Sequence, residues 1–370
     1  MKKSILAIVA IAGLAFTNCS DDNGPSTQKS TFVLKVDDLK GHINDGTVTL
    51  DPSQTYTLTG GLVVKSGATL TIPAGTRIES DATEGVDPNT LYIAVERGAT
   101  ININGEANKA VVMTSGKASP AEGNWGGLII CGDAKVNTGD NGTSEVGGLS
   151  YGGNNNADSS GKINFLRIEY TGSKYSSTKE YNGVSFFGVG SGTEVSNIYA
   201  YESGDDGIEF FGGTVNASNL VIINAYDDSL DFADGYQGTI TNVYISGVSK
   251  AGIEGSNNLD NDVALPLTNA KLINISIVKG TDPKFTASEQ AINFKEGGGK
   301  HTYTNLFVSG ITTFAKLDFG TGATARIAAG DFKVNDKNFV TANNATADYV
   351  TTETGAGNGA AIPNWATKIQ

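Results

Sequence analysis

From residue 47 to residue 319 the chain alternates short runs of β-branched and aromatic residues with clusters of Gly, Asn, Asp and Ser. Helical periodicity is nearly absent, so the pattern predicts many short strands punctuated by turns. The runs recur. Asn197-Ile198-Tyr199-Ala200 aligns with the tetrapeptides that begin at Asn219, Asn242, Asn274 and Asn305, in steps of 22, 23, 32 and 31. A second column holds Gly183-Val184-Ser185-Phe186, Gly207-Ile208-Glu209-Phe210, Ser229-Leu230-Asp231-Phe232, Gly252-Ile253-Glu254-Gly255 and Ala291-Ile292-Asn293-Phe294. Its steps are 24, 22, 23 and 39. A base period of 22–24 residues with occasional insertions marks a solenoid. Strands separated by turns within each repeat fit a right-handed parallel β-helix, all-β, with capped ends. The regular leucines and helical segments of a leucine-rich repeat are missing.

The same logic extends along the chain. Val63 to Ile72 matches Ala94 to Ile103 at an offset of 31. Residues 116–127 and 137–161 lack periodicity and read as surface excursions. The β-helix is expected over 32–319, with 32–50 shielding one open end and 320–370 capping the other, because bare terminal strands invite edge pairing. The recurrent asparagines should stack one strand spacing apart as an amide ladder, a structural feature and not a site. Glycine, 48 residues of 370, supplies corners that need positive φ.

The N-terminus carries an address. Lys2 and Lys3 precede an apolar run from Ile5 to Phe16, too short to span a bilayer, and Cys19 follows with Ser20-Asp21-Asp22. This resembles a bacterial lipoprotein signal, with 1–18 removed, Cys19 lipidated and 19–31 a tether. The acidic pair after the cysteine resembles the surface-export signal of Bacteroidota lipoproteins, which implies an outer-membrane protein exposed on the cell surface. An ordinary secretory signal cleaved nearby is the plainer alternative. Cys131, within Leu128-Ile129-Ile130-Cys131, reads as a small buried hydrophobe, so no disulfide is expected.

Asn124-Trp125-Gly126-Gly127-Leu128, Arg167-Ile168-Glu169-Tyr170 and the run from Ser203 to Asn216 together resemble a group of Bacteroidota surface lipoproteins with a pectin-lyase-like β-helix. The resemblance spans about residues 45–370 and implies fold and cell-surface placement. It brings no reaction with it.

Strand alternation puts Ile208 and Phe210 inside and Glu209 and Phe211 outside. Ser185, Glu209, Asp231 and Glu254 therefore stack outward, about 4.8 Å apart. The flanking turns add Asp205, Asp206, Asp227, Asp228, Asp234, Asp260 and Asp262. Like charges at that spacing repel by about 1 kcal/mol per pair in water, so something should offset them. Three readings stay open. The aspartates accept backbone N–H groups in solvated turns. Alternatively, Asp205, Asp206, Asp227, Asp228, Asp231 and Asp234 bind Ca²⁺, which takes six to eight oxygens and needs no histidine or cysteine. Or carboxylates among Asp205, Asp206, Glu209, Asp228 and Asp231 act as acid and base in glycoside hydrolysis. The Gly204-Asp205-Asp206 pair resembles the acidic pair of β-helix polygalacturonases, but their partner histidine and Arg-x-Lys motif are not matched nearby. His301 is expected in a ladder turn, and His42 precedes the repeats. Lys250, Lys271 and Lys295 fall in no matching lyase motif.

Phe187 and Phe211 are expected to face solvent beside Glu209, Asp231 and Glu254 as a sugar platform, with Tyr199, Val221, Tyr244 and Phe307 on the next face. Insertions at 173–182, 256–270 or 279–290 covering these residues is the competing expectation. Acids outnumber bases by 39 to 26, a net charge of −13 with no basic block, which argues against nucleic acid as a partner. The sequence thus favours a lipid-anchored, non-catalytic binding or adhesion module for a polysaccharide, reached through an acidic face that calcium would load. A polysaccharide lyase or hydrolase, and a structural subunit of an outer-membrane complex, are the alternatives.

Overall fold

Each coil pairs in parallel with the equivalent strands of the coils before and after it. In the computed structural model, which describes residues 30–139, 141–286, 290–318, 321–350 and 359–369, these pairings form a parallel β-helix. Cys19 and the segment before it lie outside the described residues. One sheet runs through Val184–Phe187, Ile208–Phe211, Leu230–Ala233, Ala251–Gly255, Gln290–Lys295 and Thr313–Asp318. Another runs through Gly161–Glu169, Glu194–Tyr201, Asn216–Ala225, Thr239–Val248, Asn269–Val278 and Lys300–Ser309. In the N-terminal half Val63 pairs with Ala94 and Leu70 with Ile101, which is the offset of 31 seen in the sequence.

The asparagine column makes the corners. Asn197, Asn219, Asn242, Asn274 and Asn305 have φ of 57°, 56°, 59°, 58° and 55°, the left-handed region that asparagine tolerates better than most residues. Each bends a long strand in two. The amides then join coil to coil: Asn219 Nδ2 donates to Asn197 Oδ1 and Asn242 Nδ2 to Asn219 Oδ1, both at 3.0 Å. Asn274 and Asn305 continue the series at 3.0 and 2.9 Å. Asn164 accepts at one end (2.7 Å), and Asn335 takes over at the other by accepting the Leu306 N–H at 3.0 Å.

Inward-facing side chains form one continuous core. Phe186 and Phe210 stack with centroids 4.9 Å apart, and Phe232 and Phe294 follow on later coils. His301 belongs to this interior and not to a turn. It is fully buried against Phe232 and Phe294, and burial pushes its pKa down to about 3, so it is a neutral core residue. His42 is exposed on the first strand, Leu39–Ile43.

Two segments depart from the expected layout, and one between them keeps to it. Trp125, within the 116–127 stretch expected as an excursion, is buried and its indole N–H donates to Glu169 O at 2.8 Å. Phe332, Phe339 and Tyr349 pack with Phe314 over the C-terminal end of the core. Residues 359–369 instead lie along a flank. There Ala366 and Ile369 pack on Tyr199, Val221 and Tyr244, Tyr244 Oη donates to Ala360 O at 3.0 Å, and Arg167 donates to Ile369 O at 3.0 Å. That flank was expected to be an open aromatic face. A stacked strip of apolar side chains is costly to leave in water, and the chain's own end covers it.

The ladder is open to a direct test. Asn242→Ala removes two amide bonds and leaves a β-carbon at φ of 59°, so it should cost about 2 kcal/mol in chemical denaturation. Asn242→Gly relieves the backbone strain alone and should lose less than the alanine variant.

Candidate functional site

The site begins at a turn repeated on three coils. Asn182-Gly183, Asp206-Gly207 and Asp228-Ser229 each lead into a strand of the first sheet. The backbones stack so tightly that a β-carbon on Gly183 would sit 2.2 Å from Gly207 O, which requires glycine there. Asn182 Oδ1 accepts the Asp206 N–H at 3.2 Å, and Asp206 Oδ1 accepts the Asp228 N–H at 2.9 Å. Asp206 therefore does accept a backbone N–H, as the first of the three readings requires.

The following strands bring the second set of acids into line. Ser185 is in register with Glu209, Glu209 with Asp231, Asp231 with Glu254, and Glu254 with Asn293. These side chains point away from the core, yet Glu209, Asp231 and Glu254 are only 8%, 7% and 5% exposed. Asn182 Nδ2 donates to Glu209 Oε2 at 2.5 Å, Asn293 Nδ2 to Glu254 Oε2 at 2.6 Å, and Lys295 Nζ to Glu254 Oε1 at 2.8 Å. Burial, then the charge of Glu254, holds the Asp228 carboxyl well above the ordinary carboxylate range. Asp228 Oδ1 and Asp231 Oδ1 are buried without any hydrogen-bond partner.

What buries the acids is the segment after Cys131. Val136, Val146 and Tyr151 fold over the outer face, and the Tyr151 ring lies 5.0 Å from Phe187. Arg97 ties the segment down through Asn141 Oδ1 at 2.8 Å and Gly152 O at 2.6 Å. Asn137 donates to Asn257 O and Pro266 O, linking it to the loop after Gly255. Phe187 is consequently 1% exposed and cannot serve as a sugar platform. It stacks on Phe211 at 4.1 Å, and Phe211 remains half-buried at the edge of the cavity. Cys131 lies under the same cover as a free thiol, its pKa pushed up by burial.

The open acidic groove expected from the sequence is thus a pocket of about 430 Å³. Glu209, Asp231 and Glu254 form its floor; Glu145, Tyr151, Asp234, Asp260 and Glu296 line its sides, with Lys179 and Lys295 as the basic residues. The insertions at 173–182 and 256–270 both contribute wall residues. Of the three lysines singled out in the sequence, Lys295 lies in the pocket, Lys250 pairs with Asp227 outside it, and Lys271 is exposed on the other sheet.

Crowding and desolvation raise the carboxyl pKa values. Burial, then the charge of Asp227, pushes Asp205 up to about 8, and burial pushes Asp234 up to about 6, opposed by the Tyr151 hydroxyl that donates to it at 3.2 Å. Asp206, Glu209, Asp228 and Asp231 are raised well above the ordinary range, first by burial and then by neighbouring acids. Glu145 rises to about 7 for the same reasons.

The six aspartates considered as metal ligands do not act as one set. Oxygens of Asp206, Glu209 and Asp231 lie within 4.8 Å of one another, as do those of Asp205, Asp206 and Asp227. Asp228 belongs to neither group, and Asp234 accepts from the Tyr151 hydroxyl. Asn182 was missed, although its Asn-Gly step aligns with Asp206-Gly207 in the sequence. Glu145 gave no signal, because it lies in a stretch without periodicity.

Of the five candidate catalytic acids, Asp206, Glu209 and Asp231 bring oxygens within 4.8 Å of one another. Acid and base flanking a glycosidic bond stand roughly 5–9.5 Å apart, which leaves room for the sugar and water. Oxygens within 4.8 Å suit a shared proton or a cation better. Lys295, held by Glu254 with its pKa raised, is poorly suited to take a proton as a lyase base.

No curated protein and no solved structure matches the chain. A family model does: residues 41–370 match the pectate-lyase-like β-helix domain. The coil register, the stacked turns and this match agree, and the chain belongs to the pectate-lyase-like β-helix family.

Proposed function

We propose that the protein is a lipid-anchored, surface-exposed binding protein of the outer membrane that holds a glycan without cleaving it. The acidic pocket takes the end of the glycan, and a calcium ion on Asp206, Glu209 and Asp231 bridges protein and sugar. The observation that carries the reading is the convergence of these three buried carboxylates within 4.8 Å, with Asp231 Oδ1 unpartnered. Calcium accepts such an all-oxygen set and fills its remaining positions with water or ligand hydroxyls. Phe211 and the exposed Leu259 offer apolar contact at the same pocket. The anchor rests on the Lys2–Cys19 signal and the acidic pair behind it.

Glu209→Gln and Asp231→Asn should each weaken glycan-array binding about tenfold or more, with circular dichroism confirming the fold. EGTA should abolish binding by the unaltered protein. Binding unchanged in both variants would remove the pocket from consideration. Incubation with polygalacturonate and host glycans should yield neither unsaturated products nor new reducing ends; either would make the protein an enzyme.

Stability should follow the carboxyl pKa values. A carboxyl whose folded pKa is raised contributes stability that is present below its ordinary pKa and is lost as pH rises through the folded value. In chelator, the melting temperature should therefore fall by about 5 °C between about pH 5.5 and pH 8.5, across the range set by Asp234 (about 6) and Asp205 (about 8). Calcium should reverse the loss at the alkaline end. A flat profile would mean that the acids are already compensated from within the chain.

A further inference from the structure

We propose that a second cavity, which shares the hairpin of residues 174–180 with the acidic pocket, binds a sugar unit bearing an anionic group, stacked on Tyr226 and charge-paired with Lys174. This site is separate from the acidic pocket and needs no cation. Lys174 and Glu180 bridge across the hairpin; Lys174 lines the second cavity, and Lys179 lines the acidic pocket. The second cavity has a volume of about 540 Å³, within the range of small-ligand sites.

The solenoid builds one wall. Gly172 and Gly204 stack so closely that a β-carbon on Gly172 would lie 2.2 Å from Gly204 N, and one on Gly204 would lie 2.5 Å from Gly172 O. Both positions require glycine, so this edge is bare main chain. One coil further on, the N–H of Tyr226 donates to Ser203 O at 2.9 Å, and Tyr226 lines the cavity with the two glycines. The opposite wall is fastened to the turn at Pro88 and Asn89. Ser173 Oγ donates to Pro88 O at 3.3 Å and Tyr181 Oη to Asn89 O at 3.1 Å, while the Tyr181 ring packs 5.7 Å from both Tyr92 and Tyr175.

Three observations point to the ligand. Tyr226 is 53% exposed on a concave wall, which offers an aromatic face to the C–H face of a sugar. Asn89, also on the wall, has an Oδ1 that is shielded from water without a hydrogen-bond partner, and a sugar hydroxyl is the donor such an acceptor needs. The charge balance reverses that of the acidic pocket. Its charged lining residues are Lys174, Lys284 and Glu122. Lys284 is paired with Glu122 and lies 5.2 Å over the Phe285 ring, whereas Lys174 is exposed and has no ion pair among the described residues. The acids of the adjoining turns are muted: Asp227 is paired with Lys250, and burial pushes Asp205 up to about 8, so it holds a proton at neutral pH. One uncompensated ammonium beside an open ring selects an anionic sugar.

Titration of the full chain in EGTA with a hyaluronan tetrasaccharide, and with its methyl ester, which keeps the shape and removes the charge, tests this by ligand-observed NMR. The chelator silences cation-dependent binding in the acidic pocket. The acid form should bind with a dissociation constant of about 1 mM, weak enough to be washed from an array, and the ester about threefold more weakly. Tyr226→Ala should weaken both about fivefold. Lys174→Met should weaken the acid form about threefold and leave the ester unchanged. Lys271→Met, on the other sheet, should change neither. Tyr226 and Lys174 are exposed, so both variants should melt as the unaltered protein does. No binding by the unaltered protein, unchanged binding by Tyr226→Ala, or equal affinity for acid and ester overturns the proposal. Loss of binding in Glu209→Gln would put the tetrasaccharide in the acidic pocket and overturn it as well. Array results with that variant bear on the acidic pocket alone, so either site can fail without the other.

Discussion

In-register stacking at one strand spacing governs everything this protein does with its side chains. Once the coils pair in parallel, any residue type that recurs in the repeat meets its own kind about 4.8 Å away. Whether that helps or harms depends on the chemistry of the group. An asparagine amide carries both a donor and an acceptor, so a column of them bonds to itself from Asn164 to Asn305. A carboxylate carries only acceptors when ionised, so the column Glu209, Asp231, Glu254 has no internal solution.

The chain deals with the carboxylates only in part. Asn182 and Asn293 cap the column at its two ends with amide donors, and Lys295 supplies one charge to Glu254. The centre is left to protons or to an ion from solution. Covering the face raises the stakes, because desolvation penalises each ionised form and neighbouring charges act through a poorly screened medium. The same cover excludes flat, extended docking of a polymer across Phe187 and leaves an end-on pocket. A surface that would be merely acidic on an open solenoid becomes a nearly buried cluster of carboxyls with raised pKa values.

Much of this was legible in the sequence, for a physical reason. A solenoid coil interacts chiefly with its neighbours, so a local period fixes the register, and the register places Glu209 beside Asp231 without knowledge of anything distant. The amide ladder from Asn197 to Asn305 and the alternation of Phe210 inward against Glu209 outward follow from the same period. The 22–24-residue repeat and its turns also identified the β-helix, and the family match over 41–370 agrees with it. Cys131 as a small buried hydrophobe needed only its apolar run.

What only the tertiary structure decided lies in segments that break the period. Nothing in the order of residues 132–160 says that Tyr151 lies on Phe187, because that contact depends on where an irregular excursion folds back. Nor does the sequence say that residues 359–369 return to cover Tyr199, Val221 and Tyr244. Outward is a property of one strand and can be read from alternation. Exposed is a property of the whole chain, because any distant segment with apolar residues can cover an outward face. The sequence by itself therefore determined the coils, their ladders and the column of acids, and the fold of the non-repeating segments turned that column into a buried pocket.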